Sequence, residues 1–162
     1  MSTVAAMARR VRDLQSRLSE VVEDSVSQTS DEYLKLNKEQ LMEGYGSDGA
    51  SLRPGYSEDP YFKSLESAAK YAKWKMEITP NPRRSPDAPN LYITGKYHAS
   101  LGITVGVEKI TLTTNFDGAD DINKKYQGKH LGLGGFKKLE YLGVLAPVFR
   151  AKITDVTGLK FS

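Results

Sequence analysis

Apolar residues recur at alternating steps of three and four along the start of the chain: Val4, Met7, Val11, Leu14, Leu18 and Val21. This spacing predicts an amphipathic or coiled-coil-like helix. From Val22 the stripe shifts to Val22, Val26, Thr29, Tyr33 and Leu36. A helix over 3–43 must therefore turn its apolar face midway or bend near Ser25–Ser30. Unbroken, about 40 residues would span roughly 60 Å at 1.5 Å per residue. That is longer than one small domain needs, and the surplus points to one end packing on a neighbouring chain.

Gly44 and the Asp48-Gly49 pair supply a C′ residue and a turn that end this helix. A second helix is predicted from about Glu58 to Ile78, with Pro60 near its first turn. Tyr61, Leu65, Ala68, Ala69, Ala72 and Met76 form its inner stripe, and Lys63, Lys70, Lys73 and Lys75 fall largely off it, on a face expected to be solvated. Residues 79–90 hold four prolines, which excludes a regular helix or a central strand. They are expected to form an exposed, stiff loop carrying Arg83 and Arg84, either a docking arm or a mere connector.

Residues 91–115 look like the centre of the fold. Leu91–Ile93 is a short apolar run read as a strand, and Thr94 can cap a brief helix from Gly95 to about Leu101. Ile103, Val105 and Val107 then alternate with polar positions. After a tight turn near Glu108, Ile110 and Leu112 do the same, as expected of two antiparallel strands with one buried face. The long helix is the natural cover for that face. A short helix from about Ala119 to Gln127, a glycine-rich stretch over 129–135, and a last helix from about Phe136 to Val156 complete the pattern. Pro147 should kink that helix or start a new segment, and Gly158 should end it. The fold class expected is α+β: a long N-terminal helix on a small antiparallel sheet, with additional helices including a C-terminal one, in a single domain over 1–162.

Composition narrows the function. A 39% hydrophobic and 27% charged chain without a long apolar run is not expected to span a membrane. The arginines at 9, 10 and 12 follow the first apolar residues, the reverse order of a secretory signal. Cysteine is absent, which removes disulfides, thiol catalysis and thiolate metal sites. A formal charge of +3 permits contact with an acidic surface or with DNA without demanding it.

No catalytic pattern emerges. His98 and Ser100 are two apart on a helix and do not face each other. Taking Asp117 as the first position of a calcium loop puts Ile122 at six and Gly128 at twelve, where glycine and glutamate are required. Asp117, Asp120 and Asp121 are better explained as helix-start acids. Gly128-Lys129 lacks the rest of a phosphate loop, and Gly132-Leu-Gly134-Gly135 does not follow a strand of a βαβ unit, so both read as a flexible turn. Tyr71, Trp74, Tyr92 and Tyr97 could stack on bases, but core packing explains their spacing equally. No catalytic residue, cofactor or metal is expected.

The order of elements resembles that of tailed-phage neck proteins, the head–tail connector or tail-completion family of minor virion proteins. The phrase Asn37-Lys-Glu-Gln-Leu-Met-Glu-Gly44 closes the long helix before a turn at Ser47-Asp-Gly49. Leu91, Thr94, Gly95, Tyr97, Ser100 and Leu101 then match a Leu-x-x-Thr-Gly-x-Tyr-x-x-Ser-Leu segment that leads into the sheet. Lys124-Lys-Tyr126, a glycine-bearing turn and a proline-containing C-terminal helix follow. The 79–90 loop is richer in proline than that pattern. The resemblance implies a non-enzymatic virion protein, made in the host cytoplasm, that forms a homo-oligomeric ring between portal and tail. Its neighbours would be other neck, portal and tail proteins, with DNA passing through the ring. Such a ring closes through head-to-tail contacts, and its DNA contacts would be sequence-independent and salt-sensitive. Arg9, Arg10, Arg12, Lys73, Lys75, Arg83 and Arg84 are the candidate protein or DNA contacts. The alternative reading is a small nucleic-acid-binding protein, although no helix-turn-helix or RNA-binding signature is present.

Overall fold

A change of stripe at Val22 becomes a break in the helix. In a computed structural model of the chain, which describes residues 3–107 and 109–158, α1 runs over Thr3–Gln28 and α2 over Ser30–Met42. Thr29 lies between them, and its hydroxyl donates to the Ser25 carbonyl at 3.0 Å. The remaining elements are α3 (Leu65–Ile78), α4 (Lys96–Ser100), β1 (Leu101–Val105), β2 (Ile110–Thr114), α5 (Ala119–Tyr126) and α6 (Gly135–Thr157). The architecture is α+β.

The α2 end follows from Gly44, which takes a φ of +76°. Its N–H donates to Leu41, and the Tyr45 N–H donates to Gln40, the paired closure that a left-handed C′ glycine permits. A side chain at position 44 would also meet the Ala88 Cβ at 2.8 Å.

Strands β1 and β2 pair antiparallel with Ile103 opposite Leu112 and Val105 opposite Ile110. The apolar residues thus share one face, as alternation requires, and Thr104, Thr111 and Thr113 are exposed on the other. The α2 helix covers the apolar face: Leu36 packs in a cluster with Leu133, Tyr141 and Ile110, and Leu41 in another with Leu52, Tyr97, Leu101 and Tyr126. Leu36 and Leu41 have no exposed surface, so each contributes on the order of 1.5–3 kcal/mol by burial. The turn expected at Glu108 falls on a residue outside those described. Val107 is exposed, whereas Ile103 and Val105 are half-buried.

Three expectations change. The second helix starts at Leu65 instead of Glu58, because Ser64 caps it: the Ser64 hydroxyl accepts from the Ser67 N–H at 3.2 Å, and Ser67 Oγ accepts from the Ser64 N–H. Tyr61 and Leu65 consequently lie outside its buried face. Residues 91–93 form no strand; Leu91 has a φ of +53°. The brief α4 helix begins after Gly95, a left-handed residue, and the Thr94 hydroxyl accepts from the Lys96 N–H at 3.5 Å, as expected of a cap. Lastly, Pro147 does not start a new segment: it lies inside the continuous α6, which Gly158 caps.

The glycine-rich turn is pinned rather than flexible. Asn37 Nδ2 and Gln40 Nε2 both donate to the Gly132 carbonyl at 2.9 Å, and Gln40 Oε1 accepts from the Gly134 N–H at 2.9 Å. A Cβ at Gly134 would lie 2.4 Å from the Ser47 carbonyl oxygen, so only glycine fits there.

Candidate interaction surfaces

α1 and α6 form an antiparallel pair, the most extensive helix contact in the chain. Thr29 Oγ1 lies 2.9 Å from the Tyr141 hydroxyl, Lys152 is 3.7 Å from Asp24, and Gly158 sits beside the Arg10 guanidinium. Val21 and Ser25 on α1, and Ile153 and Thr157 on α6, are buried in this contact layer. The α6 helix therefore runs out near Arg10. The apolar seam of α1 does not: Met7 and Val11 are more than half exposed, and Val4 is 77% exposed. On α6, Phe136 and Leu139 also face outward, and a Cβ built at Gly143 would meet nothing within 4 Å. Two apolar stripes thus remain uncovered on one layer, more than scattered surface residues account for.

The basic candidates separate into two groups. Arg9, Arg10, Arg12, Lys73 and Arg83 are exposed. Arg9, Arg10 and Arg12 form no ion pair among the described residues, and Arg83 holds Glu43 at 3.1 Å. Lys75 and Arg84 are instead 2% and 3% exposed, so neither offers the contact surface expected of it, and the 79–90 loop is exposed only in part, with Thr79, Arg84 and residues 88–90 buried.

The reason is the helix phase. The buried face of α3 runs through Ala68, Ala72 and Lys75 and continues to Thr79, and the small alanines let the proline loop approach. Arg84 fills the gap as a hub: Nη1 donates to the Ala88 carbonyl at 2.9 Å and Nη2 to the Lys75 and Thr79 carbonyls at 3.2 and 3.3 Å. The Lys75 ammonium donates to the Tyr92 carbonyl. Asn90 Nδ2 donates to Thr79 Oγ1 at 3.1 Å, and His98 Nε2–H donates to the Asn90 carbonyl at 2.8 Å. Burial, reinforced by the Arg84 charge, lowers the Lys75 pKa to about 8, and burial lowers that of His98. Carbonyl oxygens solvate these cations, which is what allows them inside.

Beside this knot lies a cleft of about 520 Å³ whose walls include Tyr61, Phe62, Tyr71, Tyr92, Ile93 and Phe116. Asp59 and Lys125, an ion pair, also line it. Tyr61 and Ile93 are exposed at its margin. Phe116 and Ile122, both cleft residues, are flanked in sequence by Asp117 and by Asp120 and Asp121. These three carboxylates are exposed and make no ion pair among the described residues. Asp120 and Asp121 occupy the first turn of α5, as expected from the helix dipole. Nothing in the sequence pattern groups these aromatics; they come from three separated segments.

The second histidine is internal. His130 is 1% exposed, its ring stands 6.0 Å from that of Tyr97 and 6.2 Å from that of Tyr126, and burial lowers its pKa to about 4. Among the described residues, its Nδ1 and the Tyr97 hydroxyl lack hydrogen-bond partners. Burial raises the Tyr97 pKa to about 12.

No described helix is long and apolar enough to cross a membrane. Compared with known proteins, the chain matches no family model, and no curated protein or solved structure matches it.

Proposed function

We propose that the chain is a structural, non-enzymatic subunit of an oligomeric ring in the head–tail neck of a tailed phage, joining portal or capsid to tail around the DNA channel. The observation that carries this reading is the seam of α1. It is buried against α6 at Val21 and Ser25 and continues uncovered through Val11, Met7 and Val4. A seam that outruns its intramolecular partner is suited to a neighbouring copy. The sequence features shared with neck proteins, from Asn37–Gly44 to Leu91–Leu101, support the same reading. Arg9, Arg10, Arg12, Lys73 and Arg83 remain available for acidic neighbours or DNA phosphates. The alternative, a free nucleic-acid-binding protein, loses two of its cations, because Lys75 and Arg84 are internal.

The test is the native mass of the purified chain, paired with mass spectrometry of purified virions. A closed oligomer and presence in virions are the expected results. A chain that stays monomeric and is missing from virions would overturn the proposal.

A further inference from the structure

We propose that the aromatic cleft is a binding site for a small ligand that carries an anionic group on a planar aromatic ring, the ring held by the aromatic walls and the charge by Lys75. The site goes beyond the ring reading and does not depend on it. Its first support is the charge of the lining. Lys75, Lys96 and Lys125 line the cleft against a single carboxylate, Asp59, and Asp59 is already paired with Lys125. Lys75 and Lys96 make no ion pair among the described residues, so the cleft presents two unmatched cations. Low-dielectric walls focus such a field on whatever enters.

The interior behind the cleft adds to this charge. Lys75 and Arg84 are both buried, and no aspartate or glutamate is buried among the described residues. The Arg84 charge acts on Lys75 and helps to lower its pKa. The carbonyls that receive the two cations are dipoles and leave their like charges uncancelled. An ammonium has three donors, and among the described residues that of Lys75 gives one, to the Tyr92 carbonyl. An anion in the cleft can take a remaining donor in a charge-assisted hydrogen bond and oppose both buried charges.

Shape selects the rest of the ligand. At about 520 Å³ the cleft has the size of a small-molecule pocket. The Tyr71 ring stands 5.0 Å from that of Tyr56 and 5.1 Å from that of Phe62, a continuous wall against which a flat ring packs edge-to-face or offset.

Calorimetric titration of the full-length chain tests the site with three probes that share one ring system: 2-naphthoate, neutral 2-naphthamide and cationic 2-naphthylmethylammonium. The naphthoate should bind at least about tenfold more tightly than the other two, the scale of one hydrogen bond to a charged group. A fourth probe, 2-naphthyl phosphate, shows which anion is preferred, and either anion binding above the amide supports the site. Lys75→Met keeps the apolar stem and removes the charge. It should weaken naphthoate binding at least about tenfold and change naphthamide binding less than about twofold. Lys96→Gln, at an exposed position, should weaken naphthoate binding about threefold, as expected of a solvent-screened charge. Lys73→Gln, exposed on α3 and outside the cleft lining, should leave it unchanged. The probe comparison and Lys96→Gln decide the matter even where Lys75→Met fails to fold. Equal affinity for the three probes, or naphthoate binding unmoved by both cleft variants, would overturn the proposal, as would the absence of binding at millimolar naphthoate.

Discussion

The α1–α6 layer and the knot around Arg84 break the usual rule of burial in opposite directions. On the layer, Val4, Met7, Phe136 and Leu139 stand in solvent. In the knot, Lys75 and Arg84 are sealed inside. Residue type alone would exchange these positions. What decides is the presence of a partner: four backbone carbonyls and one hydroxyl receive the two cations, whereas among the described residues Val4 and Met7 near the start of α1 stay more than half exposed. The knot is complete within one copy and the layer is not.

The sharpest way to break this contrast is to truncate neighbouring arginines. Arg84→Ala leaves the Ala88 and Thr79 carbonyls without their donor, while the Lys75 carbonyl keeps the Thr79 N–H and hydroxyl. At about 1–3 kcal/mol for each buried polar group left unpaired, urea denaturation should record a loss of at least about 2 kcal/mol. Arg83→Ala removes one exposed ion pair with Glu43 and should cost less than about 1 kcal/mol. Equal losses would contradict the division between hub and surface.

Acid tests the interior by another route. The His130 pKa is lowered in the folded state to about 4, against an ordinary 6.5, so the unfolded chain binds the extra proton first. Stability from this group is complete above pH 6.5 and declines as pH falls towards 4, by up to roughly 3 kcal/mol in all. His98 shifts in the same direction. Denaturation midpoints at pH 7 and pH 5 should show the decline, and His130→Gln should flatten it. Smaller still is the effect expected of Tyr97→Phe. Removing a buried hydroxyl that has no partner among the described residues should leave thermal stability unchanged or raise it slightly, and a clear drop in melting temperature would mean that the hydroxyl is engaged. At the bottom of the scale, Val4→Ser with Val11→Ser should change the stability of one copy by less than about 0.5 kcal/mol, since both side chains already face water. The same pair should lower the assembled fraction seen by size-exclusion chromatography.

Much of the fold was legible in the sequence because its signals were local. The stripe change at Val22 foretold the break at Thr29, Gly44 and Gly158 marked helix ends, and alternation from Ile103 to Leu112 gave two strands with the observed face. The failures came where distant segments set the outcome. Lys75 looked peripheral because the stripe was drawn through Leu65 and Met76, whereas the approach of residues 79–90 turns the Ala68–Ala72–Lys75 face inward. Proline content suggested an open loop at 79–90, and Arg84 closes it through bonds that no spacing rule contains. Gly132 and Gly134 looked flexible until Asn37 and Gln40, more than 90 positions away, were seen to hold them. The start of α3 at Leu65 rests on a local feature instead, the Ser64–Ser67 cap. The cleft had no such signal, because its rings come together only in the fold.

The central claim is that the uncovered seam of α1 belongs against another copy. Native mass spectrometry of the full-length chain across the micromolar range, beside the Val4→Ser/Val11→Ser pair, tests it most directly. The unaltered chain should give a discrete closed oligomer and the variant a shift to monomer. A monomer at every concentration, or an oligomer unmoved by the two serines, would contradict it.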